Sequence, residues 1–259
     1  MKVSKVLIEN RRDRLLTLLK EQSISDTRTL ANELGCSLAT VRRDLNFLAG
    51  INLVSKKYGE ISLANHPAVQ QPAGAEVHFH DIDIAKRQIA QYAASLVKDG
   101  DVLFINTSET ALHIIEYITA KSVTVITNNA NAIMIDRLET TSVILTGGEL
   151  RHPKASMVGD YAIRNLMGMV ASKSFVGCSG LSTENGMTTA NANEVALNQL
   201  MLERVTGDAY ILADHTKFGK VCAFSTCPIE KITNIITDAG TPEKAIENFE
   251  CRGIKVLTA

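Results

Sequence analysis

The 259-residue sequence predicts an α/β protein in two parts, a small N-terminal helical module ending in a β-hairpin and a larger domain with a mostly parallel sheet. The first observation is charge, because residues 1–58 hold 11 Lys and Arg against 6 Asp and Glu, whereas the remainder holds 16 against 22. The second is a Pro-, Gln- and Ala-rich stretch without periodicity. The third is a series of apolar runs that alternate with helical patterns. We therefore expect the module at 1–63, a linker at 64–80 and the α/β domain at 81–259.

Composition narrows the class of protein. Hydrophobic residues make up 45% and charged residues 21%, near the average for globular proteins, and no apolar run approaches the length of a membrane span. The N-terminal apolar patch is too short for a secretory signal, so we expect a cytoplasmic protein with no membrane partner. Five scattered cysteines without a C-x-x-C pair indicate reduced thiols. His78 and His80 lack a third ligand at a recognisable spacing, and we predict no metal and no cofactor.

Three short helices are predicted before the hairpin. Leucines recur among Arg and Lys over 11–22, which indicates an amphipathic first helix. Asp26 or Thr27 offers an N-cap for a second helix, and Gly35 suits its left-handed C-terminal position. Ser37 offers the N-cap of a third helix that continues to Gly50. Two short helices joined by a turn containing Gly form a helix-turn-helix.

The third helix is predicted to have one packed face and one open face. At 100° per residue, Leu38, Val41, Leu45 and Leu48 share an arc of about 80°, and polar side chains point away from it. A helix in the major groove of DNA needs small or polar side chains for base edges and guanidinium groups for guanine or phosphate. We expect Asp44 to orient an arginine or to lie outside the contact. The residues predicted to contact DNA from this helix are Ser37, Thr40, Arg42, Arg43 and Asn46.

The hairpin after the third helix is predicted to act as a wing. Two short apolar stretches flank a Gly turn between residues 53 and 63. Lys56 and Lys57 lead into its tip, where they would contact phosphates that position a protein on DNA without specifying sequence. The predicted partner is double-stranded operator DNA. Because one winged helix contacts a single half-site, we also expect a homo-oligomer.

These segments carry a family resemblance. Thr-Val-Arg-Arg-Asp-Leu at 40–45, together with Leu-Ala-Asn-Glu-Leu-Gly-Cys-Ser at 30–37, resembles the winged helix-turn-helix of DeoR-type bacterial transcriptional regulators. The family usually has Gly-Gly in the wing, where this chain has Gly59 and Glu60. The resemblance therefore implies a weaker phosphate contact at the tip of this wing.

The larger domain shows seven strand-like runs, at 102–106, 123–127, 143–146, 174–177, 209–213, 235–237 and 254–257. Apolar strands separated by helices predict a mostly parallel sheet with helices on its faces. Ligands of such sheets bind beyond the carboxyl ends of the strands. Small, polar or ionisable residues follow five of the runs, and loops of this kind suit a phosphate.

The resemblance to DeoR-type regulators extends through this domain. It rests on Leu-Thr-Gly-Gly-Glu-Leu-Arg at 145–151, Asn-Gly-Met-Thr-Thr at 185–189 and Leu-Ala-Asp-His-Thr-Lys-Phe-Gly at 212–219. The family's C-terminal sensor is similar to sugar-phosphate isomerases, and the resemblance implies that it binds a phosphorylated sugar or related metabolite that changes operator affinity. The residues that it implies for the effector site are Ser108, Glu109, Thr110, Asn128, Gly147, Gly148, Asp214 and Lys217.

One departure bears on the effector. The family commonly has Asp-x-Gly-Thr-Thr where this chain has Asn-Thr-Ser-Glu-Thr at 106–110. Glu109 would repel a phosphate unless it turns away or pairs with a cation such as Lys217, so the effector is either a phosphorylated sugar or an unphosphorylated one.

Two functions follow from these patterns. The first is a ligand-responsive DNA-binding regulator, a repressor of carbohydrate-metabolism genes. The alternative is an isomerase or deaminase acting on sugar phosphates, with Asp214, Glu109 or Glu194 as acid and base groups and Lys217 as a positive charge. We expect the regulator, without enzymatic activity, because an enzyme has no need of a winged helix-turn-helix.

Overall fold

The computed structural model describes residues 11–12, 14–19, 26–50, 54–57, 60–63, 79–152 and 154–259. Its contacts divide the chain into two compact units, Met1–Ile82 and Asp83–Ala259. The predicted linker lies outside the described residues as far as residue 78, and a helix begins at Phe79. Among the described residues, no helix is both long enough and apolar enough to cross a membrane.

The first unit contains three helices and a hairpin. Helix α1 includes residues 11–12 and 14–19, followed by α2 (Thr27–Glu33), α3 (Leu38–Gly50) and the antiparallel strands β1 (Val54–Lys57) and β2 (Glu60–Leu63). The carboxylate of Asp26 accepts a hydrogen bond from the Thr29 amide at 2.9 Å, which confirms the predicted cap of α2. Gly35 has a φ of +60°, as expected for the left-handed turn before α3.

The core of this unit is built from leucines of α1 and the inner face of α3. Val41, Leu45 and Leu48 are buried as predicted, and they pack with Leu15 and other side chains of α1, α2 and the hairpin. The prediction for Leu38 is wrong, because its side chain is 39% exposed. Side chains of a helix lean towards its N-terminus. Leu38 is the first residue of α3 and therefore leans past the end of the helix rather than over its packed face.

The second unit contains a seven-stranded sheet in which every pair of neighbours is parallel. In the order that they lie in the sheet, its strands are β14 (Lys255–Thr258), β13 (Asn234–Thr237), β11 (Ala209–Leu212), β8 (Lys173–Gly177), β3 (Val102–Ile105), β4 (Thr124–Thr127) and β5 (Ser142–Leu145). These are the seven predicted strands, and each predicted boundary differs from the observed one by at most one residue. The predicted α/β fold with a parallel sheet is confirmed.

Helices cover both faces of this sheet. One layer consists of α4 (Phe79–Ser95), α5 (Glu109–Leu112) and α6 (Ile114–Tyr117), and the other of α7 (Asp160–Met167), α8 (Ala192–Glu203) and α9 (Glu243–Glu250). Successive side chains of a strand point to opposite faces. Leu103 and Ile105 accordingly pack in the first layer, whereas Phe104 between them packs in the second. Burial on both faces explains why these strands are continuously apolar.

Two small antiparallel sheets complete the second unit, and neither was predicted. One pairs β6 (Glu149–Arg151) with β7 (Ser156–Val158), and the other holds β10 (Gly186–Thr189) between β9 (Gly180–Ser182) and β12 (Phe224–Cys227). Each strand has only three or four residues, several of them Gly, Ser or Thr. Strands so short do not show the alternation from which a strand is recognised.

The order of strands creates a switch point between β3 and β8. From β3 the chain adds β4 and β5 on one side, and from β8 it adds β11, β13 and β14 on the other. The loops that follow β3 and β8 therefore leave the sheet in opposite directions, which opens a crevice at the carboxyl ends of these strands.

Candidate functional site

Four of the five side chains predicted to contact DNA from α3 and the residue before it are exposed to solvent, namely Ser37, Arg42, Arg43 and Asn46. Thr40 is half-buried. The hydroxyls of Ser37 and Thr40 bond to each other at 2.8 Å, and the Ser37 hydroxyl also accepts a bond from the Thr40 amide at 3.2 Å. These two side chains cap the start of α3, so the two arginines are the strongest donors on the helix.

Asp44 is buried on the opposite side of α3 and organises the first unit. Its two carboxylate oxygens bind Arg11 at 2.7 Å and Arg12 at 3.0 Å. The guanidinium of Arg12 also lies 3.6 Å from the centroid of the Phe47 ring, which is a cation–π contact. The expectation that Asp44 orients an arginine is confirmed, and its partners come from α1. Arg42 and Arg43 do not bind Asp44 and face outwards.

The hairpin carries the two predicted wing lysines on β1. Lys57 lies opposite Glu60 in the register of β1 and β2, and Lys56 lies opposite Ile61. The turn residues 58 and 59 lie outside the described residues. The strands thus place both lysines in the last two positions before the tip, as the sequence predicts.

In the second unit, the ends of β3 and β8 are locked together. The side chain of Asn106 donates to the Gly177 carbonyl at 2.9 Å and accepts from the Gly177 amide at 3.0 Å. Ser108 lies so close that a Cβ on Gly177 would be 2.0 Å from its hydroxyl oxygen. Only glycine fits at this position, and Ser108 is fixed at the switch point of the sheet.

Glu109 forms an ion pair with a lysine that sequence reasoning missed. The Lys86 ammonium, from α4, lies 2.7 Å from the Glu109 carboxylate. Partial desolvation opposes ionisation of both groups, although Glu109 is half exposed, but their mutual attraction outweighs it, raising the pKa of Lys86 and lowering that of Glu109. Lys217, the partner suggested from the sequence, binds elsewhere. Lys86 was missed because 23 residues separate it from Glu109 and only the topology places α4 beside the end of β3.

Asp214 follows β11 and gathers the remaining charges. Its side chain is 1% exposed, and it caps the 3₁₀ turn at His215–Lys217 by accepting a hydrogen bond from the Thr216 amide at 3.0 Å. The Lys217 ammonium lies 3.4 Å from the second oxygen of the carboxylate. Burial raises the pKa of Asp214, but the attraction of Lys217, the Thr216 hydrogen bond and the attraction of Lys86 more than offset it, and the pKa is lowered. Asp214 is therefore an anion that pairs with Lys217 and also attracts Lys86.

A third lysine adds positive charge on the same side. Partial desolvation, followed by repulsion from the Lys217 ammonium, lowers the pKa of Lys220. We name Lys86, Lys217 and Lys220 the lysine cluster. The charge of Asp214 attracts all three of these ammonium groups, and Lys86 also pairs with Glu109, so three lysines accompany the two carboxylates at the ends of β3 and β11.

Cys178 lies beside this cluster, immediately after β8. Desolvation raises the pKa of its thiol to about 12, despite the opposing attraction of Lys217. The thiol is neutral at physiological pH and is a weak nucleophile. It therefore contributes a small apolar surface to the crevice rather than a reactive group.

The other predicted effector residues lie apart from the lysine cluster or are enclosed. Thr110 is buried within α5. Asn128 is buried after β4 and donates to the Met157 carbonyl at 3.3 Å. Gly147 and Gly148 have φ values of +68° and +107°, and a Cβ on Gly148 would be 2.5 Å from the Val158 carbonyl oxygen. The observed contacts of Asn128 and Gly148 are with β7, and both support the loops beside the switch point.

Glu194, an acid and base group in the enzyme alternative, has a structural role. It is 4% exposed in the first turn of α8, and its carboxylate accepts hydrogen bonds from Thr189 at 3.3 Å and Asn191 at 3.2 Å. These contacts fix the start of α8, where a negative charge is favourable.

Comparison with known proteins covers both units. Residues 11–66 match the model of the DeoR-like helix-turn-helix domain, and residues 83–239 match that of the DeoR C terminal sensor domain. Similar proteins include a lactose phosphotransferase system repressor of Staphylococcus aureus, 30% identical over 90% of this chain and 93% of that protein. A putative aga operon transcriptional repressor of Escherichia coli O157:H7 is 26% identical over 95% of this chain and 92% of its own length. An uncharacterized HTH-type transcriptional regulator of Bacillus subtilis is 28% identical over 97% and 96%.

The matches agree with the geometry of both units. The helix-turn-helix match covers the helices that expose Arg42 and Arg43, and the sensor match covers the switch point and the lysine cluster. Both matched domains are parts of a transcriptional regulator and not of an enzyme. The chain belongs to the DeoR family of DNA-binding transcriptional regulators.

Proposed function

We propose that the protein is a repressor of carbohydrate-metabolism genes that leaves its operator when a phosphorylated sugar binds at the lysine cluster. The lysine cluster is the observation that carries the proposal. Lys86 lies 2.7 Å from Glu109 after β3, and Lys217 lies 3.4 Å from Asp214 after β11, so two ammonium groups lie beside the carboxyl ends of parallel strands, where such sheets bind ligands. The charge of Asp214 also attracts Lys220. Lysine ammonium groups bind phosphate as point charges.

The ion pair of Glu109 removes the objection to a phosphate. A free carboxylate at this position would repel the ligand, but Lys86 neutralises it at 2.7 Å. Between a phosphorylated and an unphosphorylated sugar, the structure thus favours the first. The Staphylococcus aureus relative is named as the repressor of a lactose phosphotransferase system, and this name refers to both a sugar and phosphoryl transfer. It supports a phosphorylated sugar as the effector.

In this proposal, Asp214 does not contact the effector directly. Because its side chain is 1% exposed, we assign to it the positioning of Lys217 and, through attraction, of Lys86. Ser108 lies at the switch point between β3 and β8, and its hydroxyl is not used to cap α5. We assign to Ser108 a hydrogen bond to the phosphate.

On DNA, we assign α3 to the major groove and the β1–β2 hairpin to the backbone. Arg42 and Arg43 are exposed donors suited to guanine or phosphate, and Lys56 and Lys57 lie next to the tip of the wing. We infer a homo-oligomer, because paired half-sites require two copies of the helix, and a cytoplasmic location, because the operator lies there. Light scattering with and without operator tests the first of these inferences, and a monomer in both conditions contradicts it.

A direct binding experiment tests the effector. The full chain is titrated by calorimetry with hexose and pentose monophosphates, each beside its unphosphorylated sugar, and with inorganic phosphate. The proposal expects one monophosphate to bind with at least tenfold higher affinity than its parent sugar. Lys86→Met should weaken this binding, whereas Lys98→Met, an exposed lysine after α4, should leave it unchanged. Equal affinity for a sugar and its phosphate would contradict the assignment.

A further inference from the structure

A second group of side chains lies beside the Lys86–Glu109 ion pair and shares Glu109 with it. One ring nitrogen of His113 and one carboxylate oxygen from each of Asp83 and Glu109 lie within 4.8 Å of one another. Asp83 belongs to α4, Glu109 begins α5, and His113 lies between α5 and α6. Three elements thus bring an imidazole and two carboxylates together.

His113 supplies an independent observation. Its side chain is 8% exposed, and its Nδ1 lies 2.9 Å from a carboxylate oxygen of Glu116. Its Nε2 is buried and has no hydrogen-bond partner within the described part of the chain. A buried polar atom without a partner is costly, and histidines that bind metals typically donate one ring N–H to a carboxylate and present the other nitrogen to the ion. The Glu116 carboxylate accepts the hydrogen on Nδ1 and so favours the tautomer in which Nε2 has a free lone pair.

We propose that His113 Nε2, Asp83 and Glu109 bind a divalent first-row transition-metal ion, for which Zn²⁺ is the probe. One imidazole and two carboxylates are ligands that Zn²⁺ takes at about 2.0 to 2.2 Å, with water completing a tetrahedron. Ligand atoms at the corners of such a tetrahedron are about 3.4 Å apart. The ligand atoms that the three side chains offer lie within 4.8 Å of one another, and the Glu109 side chain, which is 51% exposed, has room to turn.

The neighbouring cations organise this site and also compete with the metal. Arg87 binds Asp83 at 3.2 Å and Glu116 at 3.2 Å, so it holds both the carboxylate ligand and the residue that orients His113. Lys86 occupies one oxygen of Glu109. The metal displaces this ammonium or binds through the second oxygen of Glu109. Removal of the Lys86 charge should therefore strengthen metal binding, whereas removal of Glu116 should weaken it.

The test is a Zn²⁺ titration of the full chain, cleared of metal with a chelator and followed by calorimetry without DNA or sugar. The proposal expects the wild type to bind one more Zn²⁺ per chain than His113→Ala. Because loss of a buried histidine could disturb folding, Asp83→Asn and Glu109→Gln provide isosteric variants that should lose the same site. Glu116→Gln should weaken it about 10- to 100-fold, the usual cost of losing an outer-shell partner. Lys86→Met should tighten it.

Two controls separate this site from adventitious histidines. His152 is exposed on the surface, and His152→Ala should bind Zn²⁺ as the wild type does. The double variant His78→Ala/His80→Ala should also retain the site. The proposal is overturned if the wild type binds no Zn²⁺, if Asp83→Asn and Glu109→Gln bind it unchanged, or if only the double variant loses it. The readout involves neither DNA nor sugar, so its failure is distinct from a failure of the proposed function.

Discussion

The Lys86 ammonium lies 2.7 Å from the Glu109 carboxylate and joins α4 to the first residue of α5. This contact changes the expected effect of Glu109 on the effector. A carboxylate that on its own would exclude an anionic sugar becomes half of an ion pair, and the lysine cluster keeps an excess of positive charge. In the proposed function, the charge of the pair, rather than that of Glu109 alone, determines which sugars the crevice accepts.

We expect Arg42 and Arg43 to read the operator. Replacing a base-reading arginine by alanine should cost about 1 to 3 kcal/mol of operator binding and relax specificity at one base pair, whereas Lys56→Ala should weaken all sequences alike. Fluorescence anisotropy with operator and scrambled DNA at several salt concentrations measures both effects. Arg252→Ala, an exposed arginine of the second unit, serves as the control. Full operator affinity in both arginine variants would show that α3 does not read the major groove.

Asp44→Asn should destabilise the first unit. The substitution keeps the shape of the side chain but removes the charge that binds Arg11 and Arg12 from a position that is 1% exposed. Hydrogen bonds to charged groups contribute about 1.5 to 3 kcal/mol each, and the amide protection of α3 should fall accordingly. Hydrogen exchange of the full chain measures it, with the exposed Glu33→Gln as the matched control. Equal amide protection in the two variants would show that the ion pairs of Asp44 with Arg11 and Arg12 contribute nothing to the stability of the first unit.

Gly177→Ala should disrupt the switch point. The added Cβ would lie 2.0 Å from the Ser108 hydroxyl oxygen, so either Ser108 or β8 must move, at a cost of about 1 to 3 kcal/mol. Gly168→Ala is a matched control, because its Cβ meets no atom closer than 3.5 Å and its φ is −82°. Urea unfolding of both variants gives the comparison. If Gly177→Ala is as stable as Gly168→Ala, the close approach of β3 and β8 is not required.

The charge of Asp214 should make the second unit sensitive to acid. Its pKa is lowered in the folded chain, so the stability that its charge contributes is present above its unfolded pKa of about 4. This contribution is lost as the pH falls through that value towards the lower folded pKa. Asp214→Asn should therefore be less stable than the wild type at pH 7 and show a weaker fall between pH 5 and 2. Unfolding free energies across this range measure it, with the exposed Asp136→Asn as control. A wild-type pH profile in Asp214→Asn would contradict the assignment.

The strands of the large sheet were predictable because burial on both faces leaves a strong signal. Runs such as Val102–Ile105 are continuously apolar, and Pro, Gly or polar residues bound them. The short strands β9 and β10 left no such signal, because their Gly, Ser and Thr residues resemble a loop. Leu38 was misplaced because periodicity gives the face of a helix but not where that face loses contact with its neighbours.

The sequence predicted which loops form the candidate site but not which charged side chains form ion pairs within it. The rule that parallel strands end at one edge pointed to the loops at 106–110 and 214–217, and the resemblance to DeoR-type regulators implied Ser108, Glu109, Asp214 and Lys217 within them. It did not reveal Lys86, which lies on a helix before the first strand of the sheet. The sequence also did not reveal why residue 148 is glycine. A Cβ at this position would lie 2.5 Å from the Val158 carbonyl oxygen, and this contact explains the glycine without a ligand. Such contacts depend on tertiary packing, which a single sequence does not encode locally.

The most direct test of the account is operator release by the phosphorylated sugar, measured by anisotropy in the presence of a chelator so that metal ions play no part. We predict that the monophosphate lowers wild-type operator affinity about 5- to 150-fold, the usual range of allosteric coupling, and that its unphosphorylated parent does not. Glu109→Gln frees the Lys86 ammonium and should reach half-release at a lower concentration, whereas Lys86→Met should require a higher one. Operator affinity that no sugar phosphate changes, or equal release by phosphorylated and unphosphorylated sugars in all three proteins, would contradict the account.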